Sequence, residues 1–186
     1  RMTREDNPKP LNIQCVGVDV VDSMPMAHQY QNVTYQRNDF EKVVHTPGDR
    51  KFDVLWCHDA FQYALNPIQT LSNWWHIASP SGALAITVPV TQQVHRRQLS
   101  YALPNGCYYH HTLVSLIHML AVSGWDCRSG FFKKSPTDNW LHAVVYKSDH
   151  APMNPKTTSL YELVEKNMLP ESADKSIYKN GGRLDQ

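Results

Sequence analysis

Residues 52–89 read FDVLWCHDAFQYALNPIQTLSNWWHIASPSGALAITVP, and this stretch decides the fold. Phe52 to Cys57 is a short apolar run that suits a buried strand, and Ala83 to Val88 is a second one. Between them Ile68, Leu71, Trp74, Trp75 and Ala78 recur at helical spacing. Pro80-Ser81-Gly82 is expected to break that helix and reverse the chain. Strand, helix and strand make a βαβ unit. Its crossover is right-handed, and its ligand-facing loop lies at the carboxyl end of the first strand. Here that loop is Cys57 to Tyr63.

Working outward, Ile13 to Val21 (IQCVGVDVV) is rich in β-branched residues and suits a strand buried on both faces, with Asp19 near its carboxyl end. Asp22, Ser23 and Pro25 resemble a helix opening. Val33 to Gln36 is a short strand, followed by the polar bend Arg37-Asn38-Asp39 and Phe40. Thr46-Pro47-Gly48-Asp49 is a turn. Downstream, residues 90–109 show no sustained period and read as a long irregular connection. Leu113, Leu116, Ile117 and Leu120 form the stripe of a helix stopped at Gly124, where a left-handed cap is needed. Trp125 to Lys134 and Trp140 to Lys147 are two strands whose short connection makes them an antiparallel hairpin. Ser159-Leu160-Tyr161-Glu162 opens a last short helix, to about Met168.

Composition narrows the class. A chain of 186 residues with 41% hydrophobic and 19% charged residues can bury a core of its own. A formal charge of +1 leaves no electrostatic footprint for nucleic acid or an anionic membrane. Cysteines 15, 57, 107 and 127 are widely spaced and read as reduced, mostly buried thiols. The longest apolar run, Leu113 to Val122, falls short of the roughly 20 residues of a spanning helix. With no signal-peptide pattern either, the expected location is cytoplasmic. The expected organisation is a polar tail at 1–12, an α/β domain at 13–149, and a linker, short helix and flexible tail at 150–186, the last a candidate surface for a protein partner.

Alternating strands and helices that end in an antiparallel hairpin specify a Rossmann-like α/β fold. At residue level the chain resembles class I S-adenosylmethionine-dependent methyltransferases, nearest the small-molecule branch. The likeness rests on Phe52-Asp53-Val54-Leu55, Asn66-Pro67, Pro80-Ser81-Gly82 and Val88-Pro89 in order, and extends over about residues 13–147 to Gly124-Trp125. Asp59 takes the place of the family's acidic loop residue, Tyr63 that of its histidine, Asn66 that of its aspartate, and Ser81 that of its first glycine. The resemblance implies a mostly parallel sheet and S-adenosylmethionine as cofactor. It implies that Asp19 accepts from the ribose hydroxyls, as a carboxylate can from a vicinal diol. It also implies that Asp39 and Phe40 hold the adenine and that Cys57 borders the cofactor. His58, Asp59 and Tyr63 then line the reaction side. There His58 can serve as a general base toward the O, N or C nucleophile of a small-molecule acceptor. A polar loop that caps the next helix accounts for His58-Asp59 equally well.

One departure is large. The family's cofactor loop is glycine-rich and lies between its first strand and first helix, where glycine lets backbone approach a ligand. A strand and helix need on the order of 25 residues, yet twelve polar, proline-containing residues precede Ile13. The first strand and helix are therefore expected to be missing, the strand falling between those holding Asp19 and Phe52. Three accounts are open: a fragment, elements supplied by another chain, or a degenerate domain that serves as a non-catalytic binding or assembly module. A natural start at Met2 favours degeneration, and a start far upstream favours an ordinary enzyme. The ten histidines do not read as a metal site: His111 and His118 are two helical turns apart, about 10 Å, too far to share an ion. Trp74, Trp75 and Trp125 are expected in packing.

Overall fold

The computed structural model describes residues 13–20, 31–42, 50–89, 109, 111–135 and 140–171. The expected helix opening at Asp22 to Pro25, the turn at Thr46 to Asp49, the connection at 90–108, Cys107 and both tails lie outside these residues. The chain divides into two compact units, Arg1–Lys42 and Val43–Gln186.

In the first unit β1 (Cys15–Asp19) pairs in parallel with β2 (Val33–Arg37), in register from Cys15 with Val33 to Asp19 with Arg37. The pair is closed at its carboxyl end by Asn38, whose N–H donates to the Asp19 carbonyl at 2.9 Å. Cys15 is exposed, unlike the buried thiols Cys57 and Cys127.

In the second unit the order is β3 (Phe52–His58), α1 (Pro67–Ile77), β4 (Ala78–Pro89), α2 (Leu113–Val122), β5 (Trp125–Lys134), β6 (Trp140–Lys147) and α3 (Leu160–Glu165). The strands lie in the order β3-β4-β6-β5. β3 and β4 are parallel, and β6 runs antiparallel to both β4 and β5. Among the described residues the strands form two sheets, and no strand pairs with the outer edge of β3, the place where the expected first strand is missing.

The helix boundaries follow from capping. The Asn66 side chain accepts from the Gln69 N–H, with Pro67 at the first helical position. Thr112 and Ser115 form a reciprocal capping box at the start of α2. Gly124, at φ +89°, ends that helix in the left-handed region, as the sequence suggested.

The Pro80-Ser81-Gly82 break takes a different form from the turn expected between helix and strand. It lies inside β4, where Phe52 pairs with Ala78 and Val54 already with Ala83, so an irregularity in β4 absorbs the extra residues. A side chain at Gly82 would meet the Phe52 carbonyl at 3.0 Å, which explains the glycine.

Alternation along the strands sorts their side chains into two faces. Leu84, Ile86 and Val88 share one with their register partners Val145, Ala143 and Leu141, and all six are buried. Trp125 is fully buried, and its indole N–H donates to the Leu71 carbonyl of α1 at 3.1 Å. Trp74 is buried too, while Trp75 carries the Lys147 ammonium 4.1 Å above its ring. Beyond residue 149 the chain continues to pack: Leu163, Val164, Met168 and Leu169 are buried, and the Cys127 N–H donates to the Met168 carbonyl.

Candidate functional site

The loop after β3 is built around a bend at Asp59, whose φ of +54° lies in the left-handed region. For a residue with a side chain that conformation costs about 1–2 kcal/mol. Two contacts hold it. The Asp59 N–H donates to the Thr87 carbonyl of β4 at 3.1 Å, and Asp59 Oδ1 accepts from Gln62 Nε2 at 2.6 Å. Gln62 is buried, so its amide is a fixed post for an exposed carboxylate. Strained backbone of this kind concentrates at ligand sites.

Beneath the bend lies a 3-10 turn, Phe61 to Tyr63. The Phe61 ring is buried against Trp74 at 5.8 Å and against His111 at 5.2 Å. Tyr109 ties the turn from outside, its N–H donating to the Gln62 carbonyl and its hydroxyl to that of Leu65. Tyr63 ends the turn at the surface.

The expected site residues of this loop differ in what they present. Cys57 is buried, and burial pushes its thiol up to about 12 despite N–H contacts from Phe61 and Ala60. Its sulfur is therefore protonated at neutral pH and turned into the core. His58 is exposed and its ring lies 5.6 Å from that of Trp140, tilted by 30°.

Register places further polar groups beside His58 that the sequence reading missed. His58 pairs with Thr87, Thr87 with His142, and His142 with Lys133, making one row across all four strands. Thr87 Oγ1 and His142 Nδ1 are 3.1 Å apart. No sequence spacing announces this row, because its members lie as far as 84 positions from one another and strand order alone joins them. Gln62 carried a weak signal, a polar residue three positions after an acid in a loop.

The other expected residues belong to the first unit. Asp19 is the last residue of β1 and is half-buried. Asp39 and Phe40, also half-buried, stand in the bend after β2, where Asp39 Oδ1 accepts from the Glu41 N–H at 3.0 Å. Among the described residues no group of three or more His, Cys, Asp or Glu side chains could hold a metal ion. No helix among them is long and apolar enough to cross a membrane.

Comparison with known proteins gives a partial pattern match and a shared fold. A family pattern described as a methyltransferase domain matches residues 4–86. No curated protein matches the chain by sequence. Solved structures share the fold at low identity. A possible exported protein from Bordetella parapertussis is 15% identical, with a TM-score of 0.55 over 73% of this chain and 53% of its own. The [4+2]-cyclase SpnF is 14% identical, with a TM-score of 0.59 over 73% of this chain and 66% of its own. An S-adenosylmethionine-dependent methyltransferase from Mesorhizobium loti is 16% identical, with a TM-score of 0.56 over 72% of this chain and 80% of its own. The chain thus spans about half to two thirds of the length of the first two. A methyltransferase-domain pattern thus covers residues 4–86, and the chain shares its fold with those structures.

Proposed function

We propose that the chain takes part in S-adenosylmethionine-dependent methyl transfer to an O, N or C nucleophile of a small molecule. The observation that carries this is the placement of two carboxylates at the carboxyl ends of a parallel pair. Asp19 ends β1, and Asp39 follows β2 within two residues. Open α/β sheets bind ligands at that end.

The residues present fit the adenosine half of the cofactor. Asp19 is half-buried, which suits a carboxylate that accepts from a ribose diol. The Glu41 N–H holds the Asp39 carboxylate in place, and Phe40 beside it offers a ring to the adenine. Cys57, at the end of β3, has its thiol buried in the core.

S-adenosylmethionine supplies an activated methyl group when bound. The work left to the chain is alignment and proton removal. His58 accepts the proton of an acceptor hydroxyl or amine at an imidazole nitrogen. The Asp59 bend, pinned by Gln62 and Thr87, and the surface ring of Tyr63 orient that acceptor. A protein partner at residues 150–186 would meet Tyr161, which is 55% exposed, because Leu163 and Val164 already face the core.

A second reading, a non-catalytic binding or assembly module, is supported by Asn66, a departure from the family pattern whose side chain serves as the cap of α1.

Calorimetric titration of S-adenosylmethionine separates the two, using this chain and a chain extended upstream in its gene. Binding is expected, and Asp19→Ala is expected to weaken it by about 10- to 100-fold, as hydrogen bonds to a charged group are each worth about 1.5–3 kcal/mol. No heat with either chain would sink the enzyme reading.

A further inference from the structure

The row of side chains that crosses the sheet at the carboxyl end of β3 holds more than His58. Thr87 lies opposite His58, His142 opposite Thr87, and Lys133 opposite His142. Opposite residues in neighbouring strands share a face and stand about 5 Å apart. His58, His142 and Lys133 therefore bring nitrogen from three strands to one strip about 14 Å long. Thr87, only 8% exposed, has its Oγ1 3.1 Å from His142 Nδ1. A hydroxyl that donates there leaves the ring proton on Nε2, which then donates outward.

Trp140 borders the strip. It precedes His142 by two positions on β6 and so shares its face. Pro89 of β4 lies opposite Trp140, yet the indole stands 5.6 Å from the ring of His58 on β3, so it reaches across β4. Charge then selects the ligand. Asp59, the carboxylate next to His58, is engaged by Gln62, and Lys133 has no ion pair among the described residues. An ammonium beside an imidazole N–H suits the two oxygens of a carboxylate from outside the chain. The indole suits a flat ring.

We propose that this strip recognises the acceptor, and that the acceptor is an aromatic carboxylic acid bearing a hydroxyl or amino group. Lys133 Nζ and His142 Nε2 bind its carboxylate, its ring lies against Trp140, and its hydroxyl or amino group reaches His58. The role as acceptor rests on the methyl-transfer reading, whereas binding of the acid does not.

NMR titration of para-hydroxybenzoate and para-aminobenzoate into the 186-residue chain, without cofactor, tests it. Both acids should shift the side-chain signals of His142, Lys133 and Trp140. The uncharged para-hydroxybenzamide, of the same shape, should bind about 10-fold more weakly, and Lys133→Met should weaken the acids by about 10- to 100-fold. Lys133→Arg should retain them, and His142→Gln, a second variant, should weaken them too. Because Lys133 is exposed, Lys133→Met should leave the unfolding midpoint unchanged. An amide that binds as tightly as the acids overturns the proposal, as does unchanged acid binding in both Lys133→Met and His142→Gln. Inorganic phosphate that shifts His142 while the acids leave Trp140 unmoved overturns it as well, making the strip a general anion site. The cofactor titration answers the other question. Acids that bind where S-adenosylmethionine gives no heat keep the site and overturn its role for an acceptor. Cofactor heat with no acid binding overturns the proposal and leaves methyl transfer standing.

Discussion

Replacing Gly124 by alanine puts a Cβ 2.8 Å from the His150 carbonyl oxygen and 2.8 Å from Cδ1 and Nε1 of Trp75. Neither neighbour yields easily. The first is backbone, and the second belongs to a rigid indole that carries the Lys147 ammonium above it. The φ of +89° adds a conformational cost, about 1–2 kcal/mol for a residue with a side chain. Overpacking typically adds about 1–3 kcal/mol. Together they give about 2–5 kcal/mol, a large share of a stability that is usually about 5–15 kcal/mol. Urea unfolding followed by tryptophan fluorescence measures it, because the buried Trp125 reports on this unit. With a slope near 2 kcal/mol per molar, the midpoint should fall by about 1–2.5 M. Gly130→Ala is the control. Its Cβ would meet Phe132 Cε2 at 2.9 Å and Val145 Cγ1 at 3.0 Å, both side-chain ends, and its φ is not left-handed. Its cost should be about 1 kcal/mol or less, because lost unfolded-state entropy offsets part of the crowding. Equal losses for the two variants, or a loss below about 1 kcal/mol at Gly124, would refute the reasoning.

Alkylation should divide the thiols: Cys15, exposed, should react with iodoacetamide at pH 8 while Cys57 in the folded chain does not, as peptide mass spectrometry will show. The same raised thiol makes stability pH-dependent. Cys57 stays protonated when folded but ionises when unfolded, so its contribution is complete below the ordinary thiol value of 9.0 and is lost as pH rises toward about 12. An unfolding midpoint that rises with pH across that window would contradict this sign. Asn66→Ala removes the side chain that accepts from the Gln69 N–H and should cost about 1 kcal/mol in the same urea assay, with Asn66→Asp close to neutral.

The sequence was informative where an element announces itself locally. Apolar periodicity placed β3, β4 and α2, Ser159 marked the start of α3, and the short 135–139 connection correctly made β5 and β6 antiparallel. It misjudged Pro80-Ser81-Gly82, because whether such a tripeptide turns the chain or bulges a strand depends on the partner strand, here Phe52 and Val54. It put Cys57 beside an expected ligand-facing loop without showing that the thiol points inward, since direction along a strand follows from register.

Asp19, Asp39, His58, Asp59 and Tyr63 were singled out by a resemblance whose motifs follow chain order and strand ends. Their surroundings were not. Gln62 beneath Asp59, Trp140 beside His58 and the Thr87–His142 contact arise only when four strands align in the order β3-β4-β6-β5. The exposure of Val54, Trp56 and Phe131 is equally invisible in one dimension, because each residue reads alone as an ordinary buried strand position. Local propensity and periodicity therefore determined the elements. Only tertiary structure decided which face of the sheet is covered, because burial belongs to neighbours that alternation can require but cannot supply.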